Sequence, residues 1–199
     1  MGGFRLPLNR RYSRLTPHKF ALGKKFRLPN QLLVDTNVPI LANGTDKLDW
    51  SLLAGKCIDL ILEIVKKGGL VLDDQNRIFD EYRDYLHFAG CPGVGDLFMK
   101  WVHDNQWNSA VCTRVSITCQ DESNQVFAEF PDHPELKNFD VDDRKFVAVA
   151  HASPCKAPII QAVDFKWWGW RLALEEAGIE VVFVDEDLAK KGYQAHLGG

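Results

Sequence analysis

Residues Gln31-Leu32-Leu33-Val34-Asp35-Thr36-Asn37 are the stretch on which the reading of this chain turns. Leu32, Leu33 and Val34 form a short, continuous apolar run with a β-branched member, the pattern of a strand buried on both faces of a parallel sheet. Asp35 then stands at the carboxyl end of that strand, where open α/β sheets hold their ligands. Thr36 and Asn37 are turn and cap residues, so a helix is expected to follow directly. A carboxylate held there among small polar neighbours suits a hard cation.

Working outward, the chain offers three more carboxylates in comparable settings. Leu70-Val71-Leu72 is a second buried-type strand. The next segment, 76–87, reads as a helix carrying Glu81, with Ile78, Tyr82, Tyr85 and Leu86 as its apolar stripe. A third segment opens with Asp140, Asp142 and Asp143 and continues into Phe146-Val147-Ala148-Val149-Ala150. Pro158 to Val163 is a further strand, and Asp164 follows it. Two strands therefore end on Asp35 and Asp164, while two helices offer Glu81 and Asp143.

The remaining segments give the fold class. A short helix is expected over 38–43, with Pro39 in its first turn. The clearest helix is 48–67, apolar at 53, 57, 60, 61, 64 and 65 and closed by Gly68-Gly69. Another helix spans 96–105. Residues 111–117 alternate β-branched and polar side chains, as an edge strand does. Residues 118–134 are polar and read as a loop anchored by Phe127 and Phe130. Helix 142–152, strand 158–163, helix 166–177 and strand 179–184 complete the chain, with Gly178 closing the last helix. Alternating strands and helices imply an α/β fold with a mostly parallel central sheet in three α/β/α layers. The expected organisation is a basic arm (1–30), a domain (31–187) and a C-terminal tail (188–199).

With 199 residues and 46% hydrophobic content, one substantial core is the default expectation. No apolar stretch approaches the ~20 residues that cross a bilayer, and the N-terminus lacks a signal-peptide core. Five scattered cysteines without a CxxC pair argue against structural zinc and for a reducing, cytoplasmic setting. Charge is asymmetric. Eight Lys and Arg, among them Arg10, Arg11, Arg14, Lys24, Lys25 and Arg27, precede Asp35, and all 27 acids lie from Asp35 onward. Such an arm is either a solvated tail or a segment that tracks the phosphates of a nucleic acid.

The chain resembles the PIN-domain family of metal-dependent nucleases. The resemblance rests on Leu32-Leu33-Val34-Asp35-Thr36-Asn37, the helical Glu81, the run from Asp143 to Ala150, and Ala162-Val163-Asp164 ahead of a helix and a last strand. It covers about residues 31–185, with a longer segment from Gly90 to Leu136 than a minimal member needs. It implies a PIN-like α/β/α fold and an endoribonuclease using Mg²⁺ or Mn²⁺, with DNA cleavage as a minor version. It also implies partners: RNA, and often an antitoxin or inhibitor protein that restrains a toxin. A homodimer and the absence of a membrane partner fit the same picture.

Phosphodiester cleavage needs an in-line water, a neutralised phosphate and a stabilised leaving oxygen, all of which two cations about 4 Å apart can supply. Hard divalent ions choose oxygen ligands. In this reading Asp35, Glu81, Asp143 and Asp164 are the catalytic, metal-holding set, and Thr36 and Asn37 orient them. Each residue has a plainer role open to it. Asp140 and Asp143 have the spacing of a cap and its third helical position; Asp140 is taken as the cap, Asp142 as exposed, and Asp143 as a ligand. Asp80 is the fallback for Glu81. Asp73 and Asp74 are expected to cap the helix after them. The tryptophans at 167, 168 and 170 are expected in the core, with Trp167 as the one that could reach substrate by stacking.

Two other functions compete. Haloacid-dehalogenase-like phosphatases also place an Asp after an apolar strand, but Asn37 stands where their second Asp belongs. A non-catalytic module binding nucleic acid or protein through the arm and the tryptophans is the other, and it has no need of crowded carboxylates. If the arm contacts phosphates, deleting it should weaken RNA binding and flatten the dependence of affinity on salt, while turnover at saturating substrate survives. An unchanged affinity and salt slope would leave the arm without that role.

Overall fold

A computed structural model of this chain describes residues 28–87 and 93–197. Its strands, in chain order, are β1 (Leu33–Val34), β2 (Leu70–Asp73), β3 (Cys112–Val115), β4 (Cys119–Asp121), β5 (Val126–Phe127), β6 (Ile159–Gln161) and β7 (Val181–Phe183). The helices are α1 (Asn37–Ala42), α2 (Ser51–Lys67), α3 (Arg77–Tyr85), α4 (Val94–Asn105), α5 (Arg144–Ala152), α6 (Lys166–Glu176) and α7 (Glu186–Leu197). Single 3₁₀ turns occupy Leu48–Trp50 and Pro134–Leu136. The fold is mixed α/β with mostly parallel pairing.

Strand β1 pairs in parallel with β6, and β6 with β7. On the other side, Leu32 bridges Leu70, and β2 pairs in parallel with β3. The resulting order is β3-β2-β1-β6-β7. Burial follows this order. Leu32, Leu33, Val34, Leu70 and Leu72 have no exposed surface, as strands covered on both faces require. Val181, Val182 and Phe183 of the outer strand β7 are half-buried, and in β3 only Cys112 and Val115 are fully buried.

The junction between the two ladders depends on glycine. Gly68 and Gly69 adopt φ of +75° and +91°, and a Cβ on Gly69 would lie 2.2 Å from the Asn30 carbonyl oxygen. Only glycine allows that backbone conformation and that approach. The Leu32 N–H can then donate to Gly69 O, and the Val71 N–H to Leu32 O, each at 2.9 Å. Helix α2, just before this turn, buries Leu53, Ala54, Cys57, Leu60, Ile61 and Ile64, the single stripe expected of 3.6-residue periodicity.

Several expectations are corrected. The polar stretch after residue 117 contains the antiparallel hairpin β4–β5. Its turn is made by the Asp121 carboxylate, which accepts N–H bonds from Ser123 at 2.9 Å and Asn124 at 3.3 Å, and side-chain turns of this kind carry no hydrophobic period. The segment read as a C-terminal tail forms α7, which packs on α6 and β7. Tyr85 is not in the α3 stripe: it is 63% exposed, and Phe79 takes the buried place beside Ile78 and Tyr82. Leu28 belongs to the core, so residues 28–30, read as part of the arm, pack with the domain. Arg10, Arg11, Arg14, Lys24, Lys25 and Arg27 lie outside the described residues. No helix among the described residues is long and apolar enough to cross a membrane.

Asp73, at the end of β2, has no exposed surface. As its position predicts, it caps α3, accepting backbone N–H bonds from Gln75, Arg77 and Ile78 at 3.0, 2.8 and 2.9 Å. Asp73→Ala strands three donors and should lower the unfolding free energy in urea by about 3 kcal/mol. Asp73→Asn should cost clearly less. A loss near zero for the alanine variant would contradict this role.

Candidate functional site

The site begins where β1 ends. Asp35 is 2% exposed, and its backbone N–H completes the ladder by donating to Ile160 O at 2.9 Å. Its Oδ1 accepts the Asn37 N–H at 2.9 Å, which fixes the turn into α1. Helix α3 is tied across this end by Tyr82, a fully buried residue whose phenol donates to Val34 O at 2.5 Å. Because Tyr82 follows Glu81, the same bond brings Glu81 beside Thr36, whose hydroxyl donates to Glu81 Oε1.

Lys145, on the first turn of α5, places its ammonium 2.5 Å from Glu81 Oε2, and it also donates to the Asp142 carbonyl. Asp143 sits at the N-cap position of α5 but makes no capping bond with its side chain. Its Oδ2 instead accepts the Trp167 indole N–H at 3.0 Å. Asp140 is not the cap: it accepts the Asp142 N–H at 3.3 Å and pairs with Lys166 at 2.7 Å. Asp164, beyond β6, accepts the Lys166 backbone N–H at 3.1 Å.

Asp35, Thr36, Asn37, Glu81, Asp143 and Lys145 line one cleft of about 540 Å³, with Arg77 and Tyr85 also on its wall. Asp164 does not line it, although its charge acts on both Asp35 and Asp143. Asp142 is exposed, as expected. Trp167 is corrected: it has no exposed surface and packs edge-on against Phe139 with ring centres 5.0 Å apart, so it offers no face to a base.

The electrostatics set two of these acids apart. Burial pushes the Asp35 carboxyl up to about 7; Asn37 opposes this by hydrogen bonding, and the charges of Glu81 and Asp164 reinforce it. Burial likewise raises Asp143 to about 8, with Asp35 and Asp164 adding repulsion and the Trp167 N–H working against them. Both shifts have the sign of carboxylates taken out of water and set near like charge. Glu81 is ion-paired with Lys145. Among the described residues, no three His, Cys, Asp or Glu side chains gather closely enough to hold a metal ion by themselves.

Three features of the site go beyond the sequence reading: the Lys145 ion pair, the indole bond of Trp167 and the position of Arg77. A lysine ahead of the apolar run 146–150 was the available signal for Lys145, because a charge at that point of a buried helix needs a partner. The indole bond of Trp167 and the position of Arg77 had no sequence signal, since both depend on how α3, α5 and α6 meet.

These shifts make stability depend on pH. The unfolded carboxyls have the ordinary value of 3.8, so between there and the raised values of about 7 and 8 the folded chain binds more protons than the unfolded one. Unfolding free energy should therefore fall as pH rises through that window in the presence of a chelator. Asp143→Asn should flatten the upper part of the decline. Urea unfolding from pH 5 to pH 8 reads this directly, and a stability that climbs over the range would contradict it.

No protein-family model, curated protein or solved structure matches this chain.

Proposed function

We propose that this chain is a Mg²⁺- or Mn²⁺-dependent endoribonuclease with a PIN-like three-layer arrangement. The observation that carries the reading is the meeting of Asp35 and Asp143 in one cleft at the carboxyl edge of a parallel sheet, both desolvated and repelling one another. The strand order supports it too, because β2 and β6 flank β1 on opposite sides and the chain leaves that point in two directions, opening a crevice.

The residues fit a hard divalent ion. Mg²⁺ keeps several waters and takes only one or two carboxylates when substrate phosphates complete its shell. Asp35 and Asp143 would hold it. An ion bound there supplies positive charge to the phosphate oxygens and lowers the pKa of the attacking water. Asn37 and Trp167 orient the two carboxylates through the hydrogen bonds described above, and Asp164 adds negative charge from just outside the cleft. Glu81 is held by Lys145 and Thr36 and shapes the opposite wall.

RNA incubated with the protein and Mn²⁺ should be cut internally, and EDTA should stop the reaction. Asp35→Asn should reduce cleavage by about 10²-fold or more. Without substrate, millimolar Mn²⁺ should raise the melting temperature of the wild type, because an ion that binds only the folded state adds about 2.7 kcal/mol at a hundredfold excess over its Kd. Cleavage that persists in EDTA, or in Asp35→Asn, would overturn the reading.

A further inference from the structure

We propose that Lys145 is an exchangeable counter-ion: it holds Glu81 until a divalent cation draws that carboxylate away, and the released ammonium then binds a phosphate oxygen of the polynucleotide. The inference rests on the metal-dependent nuclease reading above. Lys145 is only 9% exposed, and it precedes five consecutive buried residues of α5. Burying an ammonium is costly unless it is paired, and here the pairing is complete, with Glu81 at 2.5 Å and the Asp142 carbonyl. An apolar side chain would fill a helix–helix contact of this kind without that cost. What lysine adds is a positive charge on a flexible stem inside a cleft that also holds Asp35, Asp80, Glu81, Asp84, Asp142 and Asp143.

The geometry favours Lys145 over its neighbour for this task. Arg77, the other cation on the cleft wall among the described residues, is committed to Glu122, with both terminal nitrogens bonded at 2.8 and 2.6 Å. A lysine carries a compact charge on a flexible four-carbon stem, so it can change partners without moving the helix. Glu81 is similarly placed to turn, being on α3 with a side chain 21% exposed to the cleft side of the fold. A polyanion entering an acidic cleft needs a positive group that is not already satisfied, and the exchange provides one only when the cation is present.

The exchange has consequences of opposite sign for the two ligands, which a merely structural ion pair would not have. Lys145→Met releases Glu81 and should tighten Mn²⁺ binding, measured calorimetrically without nucleic acid, by about tenfold. The same variant should bind a fluorescein-labelled oligouridylate more weakly in Mn²⁺, and Lys145→Arg should restore that binding. In EDTA, Glu81→Gln frees the ammonium and should bind the oligonucleotide more tightly than Asp84→Asn, which removes one negative charge from the same cleft wall without touching Lys145. That second comparison decides the matter even if Lys145→Met fails to fold. Mn²⁺ binding by Lys145→Met that is equal to or weaker than wild type would overturn the exchange and leave the nuclease reading standing. So would a Glu81→Gln protein that gains no more than Asp84→Asn. Wild type that binds no Mn²⁺ overturns both.

Discussion

The double pairing of the first strand is the constraint on which the rest of the molecule depends. Leu32 exchanges backbone hydrogen bonds with Gly69 and Val71 on one side, while the N–H groups of Leu33 and Asp35 donate to Pro158 and Ile160 on the other. A stretch this short has no surplus bonds, and every one is needed because its backbone is shut off from water. The pairing makes β1 central, and centrality explains why Leu32 to Val34 are entirely apolar. It also makes Asp35 the first residue free of the ladder on its carboxyl side, at the point where the order of strands reverses. Chemistry is expected there for reasons of topology before any side chain is considered.

Around that point the fold holds negative charge in place by unequal means. Glu81 is matched by Lys145, whereas Asp35 and Asp143 have hydrogen bonds from Asn37 and Trp167 but no cation, and the charge of Asp35 bears on Asp143. A chain selected for stability alone would neutralise or replace such groups. Carboxylates kept desolvated and poorly compensated are typical of sites whose ligand supplies the missing charge. Their cost is offset by the apolar interior beneath, where Phe146, Val147, Ala148 and Val149 of α5 have no exposed surface.

Three buried aromatic residues hold this arrangement together. Tyr82 fastens α3 to the end of β1. Trp167 fastens α6 to Asp143 while its ring packs on Phe139, which also meets Trp170 at 4.7 Å. Trp168 lies beneath the Arg171 guanidinium and meets Phe183 at a tilt, with ring centres 5.3 Å apart. Large rings with one polar atom suit a boundary between core and site, since the ring is buried and the N–H or O–H finds a partner.

The alternation of apolar runs and amphipathic segments was enough, from the sequence alone, to establish the α/β class, the parallel strands and the carboxyl-end position of Asp35, because these follow from local periodicity. The capping role of Asp73 was readable for the same reason, acting only a few residues along the chain. Other features escaped. The β4–β5 hairpin turns on the Asp121 side chain, which leaves no hydrophobic period; Asp140 exchanged a cap for Lys166; Tyr85 gave its buried place to Phe79. The exchange at Asp140 was decided by a partner 26 residues away. The same is true of what distinguishes the site. Lys145 reaches Glu81 across 64 residues, and Trp167 reaches Asp143 across 24. Local pattern determines which way a side chain faces, but which charge it meets, and so how strongly each carboxylate holds its proton, is decided only when the helices close over the sheet edge and exclude the water between them.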